Sequence, residues 1–253
     1  DGSTDGTREL VASWRDPRIH YLGQEQSGPS AARNRGAEAA EGRFLTFLDS
    51  DDEARPEWLA RLVQASDATG AGLAFCGLEY RDRTGAVAEV RRPTDLGLGA
   101  GARGLFLSGT FLVERELFVE AGGYWPELPA SENTELGFRL IDLCRMREVA
   151  TASIDEPLVV SHRHGDPRRS LDSRALLDAA EKVLARHGER LGRAGSEAAF
   201  HAVAAVNARK CGELRRSFYH LGHAIRLRPW NGRNYLHLAR TCWSLVRIAD
   251  RRA

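Results

Sequence analysis

Short apolar segments alternate with helical patterns in the first 80 residues, and this alternation constrains the fold more than any other feature. Residues 18–24, 43–52 and 73–80 have the composition of short strands, whereas the Ala-rich residues 28–42 and the segment that begins at Pro56 have helical patterns. Strand–helix–strand units of this kind build a mostly parallel sheet with helices packed on it. The sequence therefore predicts an α/β domain.

The following segments continue the domain with less regular spacing. Residues 81–110 are Gly-rich and are predicted to form strand edges and loops near a site. Helices are expected within 116–128, where Gly122-Gly123 ends the helix, and over 131–144. Residues 147–165 predict two strands separated by a turn.

After about residue 170 the pattern becomes wholly helical. Three helices are predicted within residues 198–212, 213–229 and 231–249, and their small residues give them a partial resemblance to tetratricopeptide hairpins. A single hairpin of this kind cannot bury its apolar face alone, so it should pack on the rest of the chain or on a partner. We therefore divide the chain into an α/β domain, residues 1–170, and a helical C-terminal extension, residues 171–253.

The charge of the chain is unevenly distributed. From residue 201 onward eleven Arg and Lys residues oppose two acidic residues, which gives +9, although the whole chain carries only +1. A basic extension could face anionic lipid or another polyanion, and a solvated, Arg-rich helix face accounts for the same composition equally well. No run of about 18 apolar residues and no signal peptide is present, so we expect a cytoplasmic protein whose basic helices allow peripheral contact with the inner face of the membrane.

The four cysteines are widely spaced and include no CxxC pair. This spacing argues against a zinc site and against a disulfide framework. Cys76, Cys144, Cys211 and Cys242 are therefore predicted to be buried free thiols.

Acidic residues are concentrated where the predicted strand 43–52 ends. Asp49 and Asp51 occupy alternate positions of an extended segment, so their carboxylates can converge on one hard cation, which in turn could hold a diphosphate. The end of a strand in an open α/β sheet is also where ligands bind. The alternative is that Asp52 and Glu53 only favour the positive end of the helix that begins at Pro56.

Five segments match a known family together. The segments "DGSTDGT", "SGPSAARNRGAEAAEGRFLTFLDSDD", "GTFLVERELFVEAGGYWPEL", "SENTELGFRL" and "VVSHRHGDPRRS" resemble, in order and spacing, the family 2 glycosyltransferases of the GT-A fold. The resemblance covers about residues 1–170. It implies a Rossmann-like GT-A domain that transfers a sugar, with inversion, from a nucleoside-diphosphate donor to a hydroxyl acceptor, with Mg²⁺ or Mn²⁺ as cofactor.

The same resemblance implies roles for individual residues. Asp1 is similar to the acid that contacts the donor base, and Arg33 and Asn34 resemble residues of the helix that closes over the nucleotide. Asp49 is similar to the carboxylate near the ribose and the metal, and Asp51 to the metal ligand that bridges to the diphosphate. His164 resembles a further metal ligand of some members, although a lone histidine there is otherwise an ordinary exposed or core residue, and His162 stands where the family often has Arg.

One position departs from the family pattern. The family usually has Glu-Asp at the start of the acceptor-side helix, and its Asp is the catalytic base, but this chain has Glu132-Asn133. An amide cannot accept a proton at neutral pH, so either Glu132 is the base or catalysis has been lost. The alternative for Glu132 and Glu135 is simple helix-end electrostatics, which for Glu135, four residues before Arg139, is the better explanation.

The resemblance also implies elements before "DGSTDGT". Family members begin with a strand, a turn, a helix and a second strand, so this sequence looks N-terminally truncated and is expected to be of low stability and inactive as it stands. The implied partners are a UDP-sugar and a glycan or lipid-linked acceptor, for a cell-surface polysaccharide, glycolipid or glycoprotein, with no nucleic acid. The alternatives are a catalytically inactive nucleotide-sugar-binding protein and an interaction protein built on the helical extension.

Overall fold

The structure is a computed structural model that describes residues 1–96, 102–162, 172–193 and 196–250. The chain divides into two compact units. The first comprises Asp1–Glu127 and Glu132–Asp166, and the second comprises Leu128–Ser131 and Pro167–Ala253.

The first unit is built from both helices and strands. Its helices are α1 (Thr7–Ser13), α2 (Pro29–Ala39), α3 (Trp58–Thr69), α4 (Arg115–Glu120) and α5 (Glu132–Arg147). Its strands are β1 (Phe44–Leu45), β2 (Asp52–Ala54), β3 (Leu73–Arg81), β4 (Val87–Arg91), β5 (Thr94–Asp95), β6 (Arg103–Gly104), β7 (Phe111–Glu114) and β8 (Thr151–His162). The predicted α/β class is confirmed, and the helix expected before Gly122-Gly123 is α4.

The main sheet is mixed rather than mostly parallel, which corrects the sequence prediction. Its strand order is β1-β7-β3-β8-β2, with β4 also paired to β3. Within the described residues only the β3–β8 ladder is parallel, and the other four ladders are antiparallel. The reason lies in the connections: β4 and β7 follow β3 without a long helix between them, whereas two helices, α4 and α5, precede β8 and carry the chain back to a parallel position.

Four predicted strands differ from the structure. Residues 18–24 join no ladder, and their backbone contact with the N-terminal segment is a bond of 2.8 Å from Gly2 N to Gln24 O. The predicted strand 43–52 pairs over Phe44–Leu45 and then only at its last residue, Asp52, which begins β2. The two strands predicted within 147–165 are one continuous strand, β8, because a bulge opposite Gly77 takes the place of the expected turn.

The core of this unit covers both faces of β3. Leu73 and Phe75 point to one face, where α4 and α5 pack with Leu117, Phe118, Leu136 and Leu140. Ala74, Cys76 and Leu78 point to the other face, where α3 packs with Trp58 and Leu62. Because β3 is buried on both sides, it reads in the sequence as a continuous apolar run rather than an alternating one.

The second unit is helical and contains α6 (Ser173–Arg193), α7 (Glu197–Lys210), α8 (Leu214–Leu227) and α9 (Gly232–Asp250). Helix α6 precedes the three helices that the sequence picked out. Each helix packs on the next, and Leu177, Ala180, Ala204 and Ala208 form a small core between α6 and α7. No helix among the described residues is both long and apolar enough to cross a membrane.

The cysteines are free, as predicted, but they are not all buried. Cys76 and Cys144 are buried, and burial raises the pKa of the Cys76 thiol to about 12 and that of Cys144 to about 11. Cys211 is half-buried and Cys242 is exposed. The prediction was wrong for Cys242 because this residue lies on the outer side of α9.

Candidate active site

Three aspartates meet where the chain passes from β1 to β2. One carboxylate oxygen each from Asp49, Asp51 and Asp52 can be chosen so that all lie within 4.8 Å of one another. A tight turn makes this possible, because the backbone N–H of Asp52 donates to the carbonyl of Asp49 at 3.0 Å. The predicted approach of Asp49 and Asp51 agrees with this arrangement.

The third member of the cluster was not predicted. Asp52 was considered only for the field of the following helix, but it begins β2 and pairs with Ser161 of β8. That pairing brings its carboxylate to the other two. The only signal in the sequence was the third acid in "DSDD".

Arg33 links this cluster to the start of α5. Its Nη2 donates to Asp49 Oδ1 at 2.6 Å, and its Nη1 donates to Glu132 Oε1 at 3.1 Å. Only 13% of the Arg33 side chain is exposed. Burial by itself lowers the pKa of the Arg33 guanidinium, but the hydrogen bond and charge of Asp49, with a smaller contribution from Glu132, raise that pKa above its ordinary value. Arg33 is therefore a permanent cation between two carboxylates.

The aromatic ring of Tyr124 packs against the guanidinium of Arg33. The guanidinium carbon of Arg33 lies 5.3 Å from the centroid of the Tyr124 ring, within cation–π range. The ring is almost fully buried, and burial raises the pKa of the hydroxyl far above its usual value, so the phenol stays neutral. Tyr124 was not singled out from the sequence, because it follows the Gly pair of a recognised motif without any chemical signature of its own.

Asn34 fixes the backbone of Tyr124. Its Nδ2 donates to the Tyr124 carbonyl at 2.9 Å, and its Oδ1 accepts from the Tyr124 N–H at 2.8 Å. Gly123 permits this approach, since its φ is +64° and an added Cβ would lie 2.8 Å from Asn34 Oδ1. The structure therefore gives Asn34 a positioning contact, and its predicted nucleotide contact stays a prediction.

The start of α5 presents Glu132 and Asn133 to the same region. Glu132 is one-fifth exposed and contacts Arg33, whereas Asn133 Oδ1 accepts a 2.8 Å hydrogen bond from the hydroxyl of Tyr124. Glu135 lies on the buried side of the helix and forms an i,i+4 ion pair with Arg139. That pair is the structural contact expected for Glu135.

In space, the carboxylate of Asp1 lies beside the loop that precedes α2. Arg33 lies in α2, little more than one turn after this loop. The Asp1 carboxylate accepts the backbone N–H of Ser27 at 2.7 Å and that of Gly28 at 2.9 Å, together with the Gln24 side-chain amide at 2.8 Å. These bonds hold the loop before α2, where Gly28 has a φ of 91°. No hydrogen bond in the described part of the chain joins Asp1 to Arg33 or Asp49.

The histidine segment is described only in part. His164 lies outside the described residues. His162, at the end of β8, contacts Glu53 Oε1 through Nε2 at 3.0 Å. The antiparallel pairing of β2 with β8 brings these two residues together. In sum, the structure brings Arg33, Asp49, Asp51 and Glu132 into one connected group.

Comparison with known proteins finds similarity to glycosyltransferases. Residues 1–125 match the model of "Glycosyl transferase family 2". The succinoglycan biosynthesis protein ExoO of Rhizobium meliloti is 44% identical over 80 residues, which are 31% of this chain and 23% of that protein. The putative teichuronic acid biosynthesis glycosyltransferase TuaG of Bacillus subtilis is 37% identical over 89 residues, which are 34% of this chain and 35% of that protein.

The fold resembles that of a solved structure, S. aureus TarS. The crystal structure of residues 1–349 of S. aureus TarS in complex with UDP-GlcNAc covers 90% of this chain and 70% of its own, with a TM-score of 0.56 and 17% identity. This likeness identifies the fold as GT-A with C-terminal helices. The matched segments span only a quarter to a third of the curated relatives ExoO and TuaG. Residues 1–125, just under half of the chain, are thus similar to glycosyl transferase family 2.

Proposed function

We propose that this chain carries the catalytic site of an inverting glycosyltransferase that moves a sugar from a nucleoside-diphosphate donor to a hydroxyl acceptor. The single observation that carries the proposal is the Arg33 guanidinium, which binds both Asp49 of the aspartate cluster and Glu132 at the start of α5. This contact joins the aspartate cluster to the start of α5 through one side chain, which supports a metal role for the cluster and a base role for Glu132.

The aspartate cluster fits a divalent cation. Its donors are carboxylate oxygens, the ligands that Mg²⁺ and Mn²⁺ accept, and Arg33 neutralises only Asp49. Asp49, Asp51 and Asp52 would hold the ion, with His164 as a predicted further ligand. When bound, such an ion neutralises the charge that develops on the departing diphosphate.

Glu132 is proposed as the base. In an inverting transfer the acceptor hydroxyl gives its proton to Glu132, its oxygen bonds to the anomeric carbon, and the bond from that carbon to the diphosphate oxygen breaks on the opposite side. Asn133, at the position of the usual base, is an amide that already accepts the Tyr124 hydroxyl. Arg33 orients Glu132 in the absence of substrate, and the buried Tyr124 ring limits where the guanidinium can move.

The donor and acceptor classes follow from similar proteins. The TarS structure contains UDP-GlcNAc, which favours a UDP-sugar as donor for this chain as well. The names of ExoO and TuaG refer to succinoglycan and teichuronic acid biosynthesis, so we propose a polysaccharide or a lipid-linked glycan as acceptor. Asp1 and Asn34 are proposed on the nucleotide side of the site.

Two measurements test this function. Binding of UDP-GlcNAc and of UDP is followed by thermal shift with and without Mn²⁺, and turnover is followed as release of UDP. Glu132→Gln should lower turnover by about two orders of magnitude or more while the Mn²⁺-dependent thermal shift is retained. Glu38→Gln, an exposed acid on α2, is the matched control and should behave as the parent protein.

A second candidate is a nucleotide-sugar-binding protein without catalysis, and Asn133 is the observation that favours it. This protein would show the Mn²⁺-dependent thermal shift but no release of UDP. Equal turnover in Glu132→Gln and the parent would instead show that Glu132 is not the base.

A further inference from the structure

Helix α9 presents an apolar stripe to solvent. Leu236, Ala239 and Trp243 follow one another at helical spacing, and the Leu236 and Trp243 residues are 52% and 64% exposed. Tyr235, which is also exposed, borders this row. We call Tyr235, Leu236, Ala239 and Trp243 the α9 stripe. Isolated exposed apolar residues are ordinary, but aromatic and leucine side chains in one row indicate a surface that contacts something.

The orientation of α9 is fixed by its opposite side. The Asn234 side chain is buried and donates to the Ala224 carbonyl of α8 at 3.1 Å, and Thr241 is buried and lies 3.2 Å from the Ser217 hydroxyl of α8. These polar contacts can form only with this face of α9 against α8. The stripe is therefore held outward and cannot rotate into the helical unit without breaking them.

Arginines flank the stripe. Arg233 and Arg240 are exposed on α9, and neither side chain is paired with a carboxylate among the described residues. The first acid after Glu213 is Asp250, at the very end of α9. The charges of Arg233 and Arg240 act on the neighbouring His237. Its pKa is lowered first by burial and then by Arg240, Arg209 and Arg233.

The turn before α9 also carries an exposed aromatic residue and an exposed arginine. Trp230 is 96% exposed, and Arg228 beside it is exposed as well. Aromatic rings at the level of lipid headgroups, an apolar row beneath them and arginines whose charged ends reach outward are the features of a helix that lies in a membrane interface.

We propose that the α9 stripe, with Trp230 and the flanking arginines, is a docking surface for an anionic lipid membrane. Charge complementarity selects this occupant. A second copy of the same face would bring Arg233 and Arg240 against their own equivalents, and a neutral partner would leave these arginines unpaired. Anionic headgroups neutralise them while the acyl region accepts Leu236 and Trp243. The inference goes beyond sugar transfer and does not depend on it.

The experiment is vesicle flotation of the full chain. We expect the protein to float with equimolar phosphatidylglycerol and phosphatidylcholine vesicles but not with phosphatidylcholine alone, and to be released by high salt. Leu236→Ala with Trp243→Ala should weaken binding by roughly tenfold or more, because two large side chains no longer enter the interface. Leu10→Ala with Trp14→Ala is the matched control, since Leu10 on α1 and Trp14 directly after it are similarly exposed.

A fluorophore on the exposed Cys242, next to Trp243, gives a second readout that does not depend on a variant. Its emission should shift to the blue on anionic vesicles. The proposal is overturned if the parent chain does not float, if the α9 double variant floats as well as the α1 control, or if the parent is a dimer in solution that Trp243→Ala dissociates.

Discussion

Glu132 Oε1 accepts a 3.1 Å hydrogen bond from Nη1 of Arg33, a residue 99 positions earlier in the chain. The same guanidinium binds Asp49 at 2.6 Å. Two carboxylates from separate parts of the sequence are thus held at a fixed spacing by one rigid, planar cation. In the transfer proposed above, one of these carboxylates belongs to the metal-binding cluster and the other is the base.

Replacing Arg33 by Lys should disrupt this link. A single ammonium cannot bond both carboxylates in the way that the two ends of a guanidinium do. We expect turnover to fall by about 10- to 100-fold, which corresponds to the loss of one charge-assisted hydrogen bond of roughly 1.5–3 kcal/mol. UDP-release kinetics measure the effect. Arg35→Lys, an exposed position on the same helix, should leave the rate unchanged, and equal rates in the two variants would argue against the link.

Asn133→Asp restores the acid that the family usually has. If Glu132 is the base, the new carboxylate still accepts the Tyr124 hydroxyl, and turnover should change by no more than about threefold. The informative comparison is with the double variant Glu132→Gln, Asn133→Asp, which should remain as inactive as Glu132→Gln. Recovery of activity in the double variant would assign the base to position 133.

Gly123→Ala should loosen the support of Arg33. The added Cβ would lie 2.8 Å from Asn34 Oδ1 at a backbone φ of +64°, so the two hydrogen bonds between Asn34 and Tyr124 must lengthen. We expect a loss of about 1–3 kcal/mol in the free energy of unfolding, measured by urea denaturation. Gly36→Ala is the contrasting control, because a Cβ there meets nothing within 4 Å and lies inside α2. It should stabilise by about 0.5–1 kcal/mol.

The helical unit should be sensitive to acid through His201. Burial, and next the charges of His220, His223 and Arg226, lower the pKa of His201 from 6.5 to about 4. Unfolded His201 therefore binds a proton at pH values where the folded residue remains neutral. The stability that this group contributes is fully present above about pH 6.5 and is lost as the pH falls toward 4, by up to roughly 3 kcal/mol.

Urea denaturation of the chain at several pH values between 7 and 4.5 measures this loss. His201→Gln should flatten the dependence of stability on pH, whatever its effect on stability at neutral pH. His20→Gln, an exposed residue of the first unit, should not flatten it. An unchanged slope in His201→Gln would contradict the assignment.

Local patterns were enough for the helices and for part of the site. Alanine content, Pro29 and Pro56 near helix starts and the Gly122-Gly123 stop are written in neighbouring residues, so α2, α3 and α4 were predictable. The approach of Asp49 and Asp51 was predicted from the alternation of an extended strand, and in the structure it depends instead on one turn of backbone.

Strand pairing was decided only by the tertiary structure. The pairing of Phe44–Leu45 with β7, and the lack of any pairing at residues 18–24, depend on which strands lie beside these segments. The sequence of one strand does not specify which other strand it bonds to. The alternation of apolar segments with helical patterns therefore did not predict the antiparallel ladders.

The sequence by itself determined the α/β class, the resemblance to family 2 glycosyltransferases and the candidate residues Arg33, Asp49, Asp51 and Glu132. Only the tertiary structure decided that Arg33 joins Asp49 to Glu132, that Tyr124 lies beneath it and that Asp52 completes the acidic cluster. The physical reason is range: residue type and helical spacing act within a few positions, whereas these contacts join segments that only packing of the core brings together.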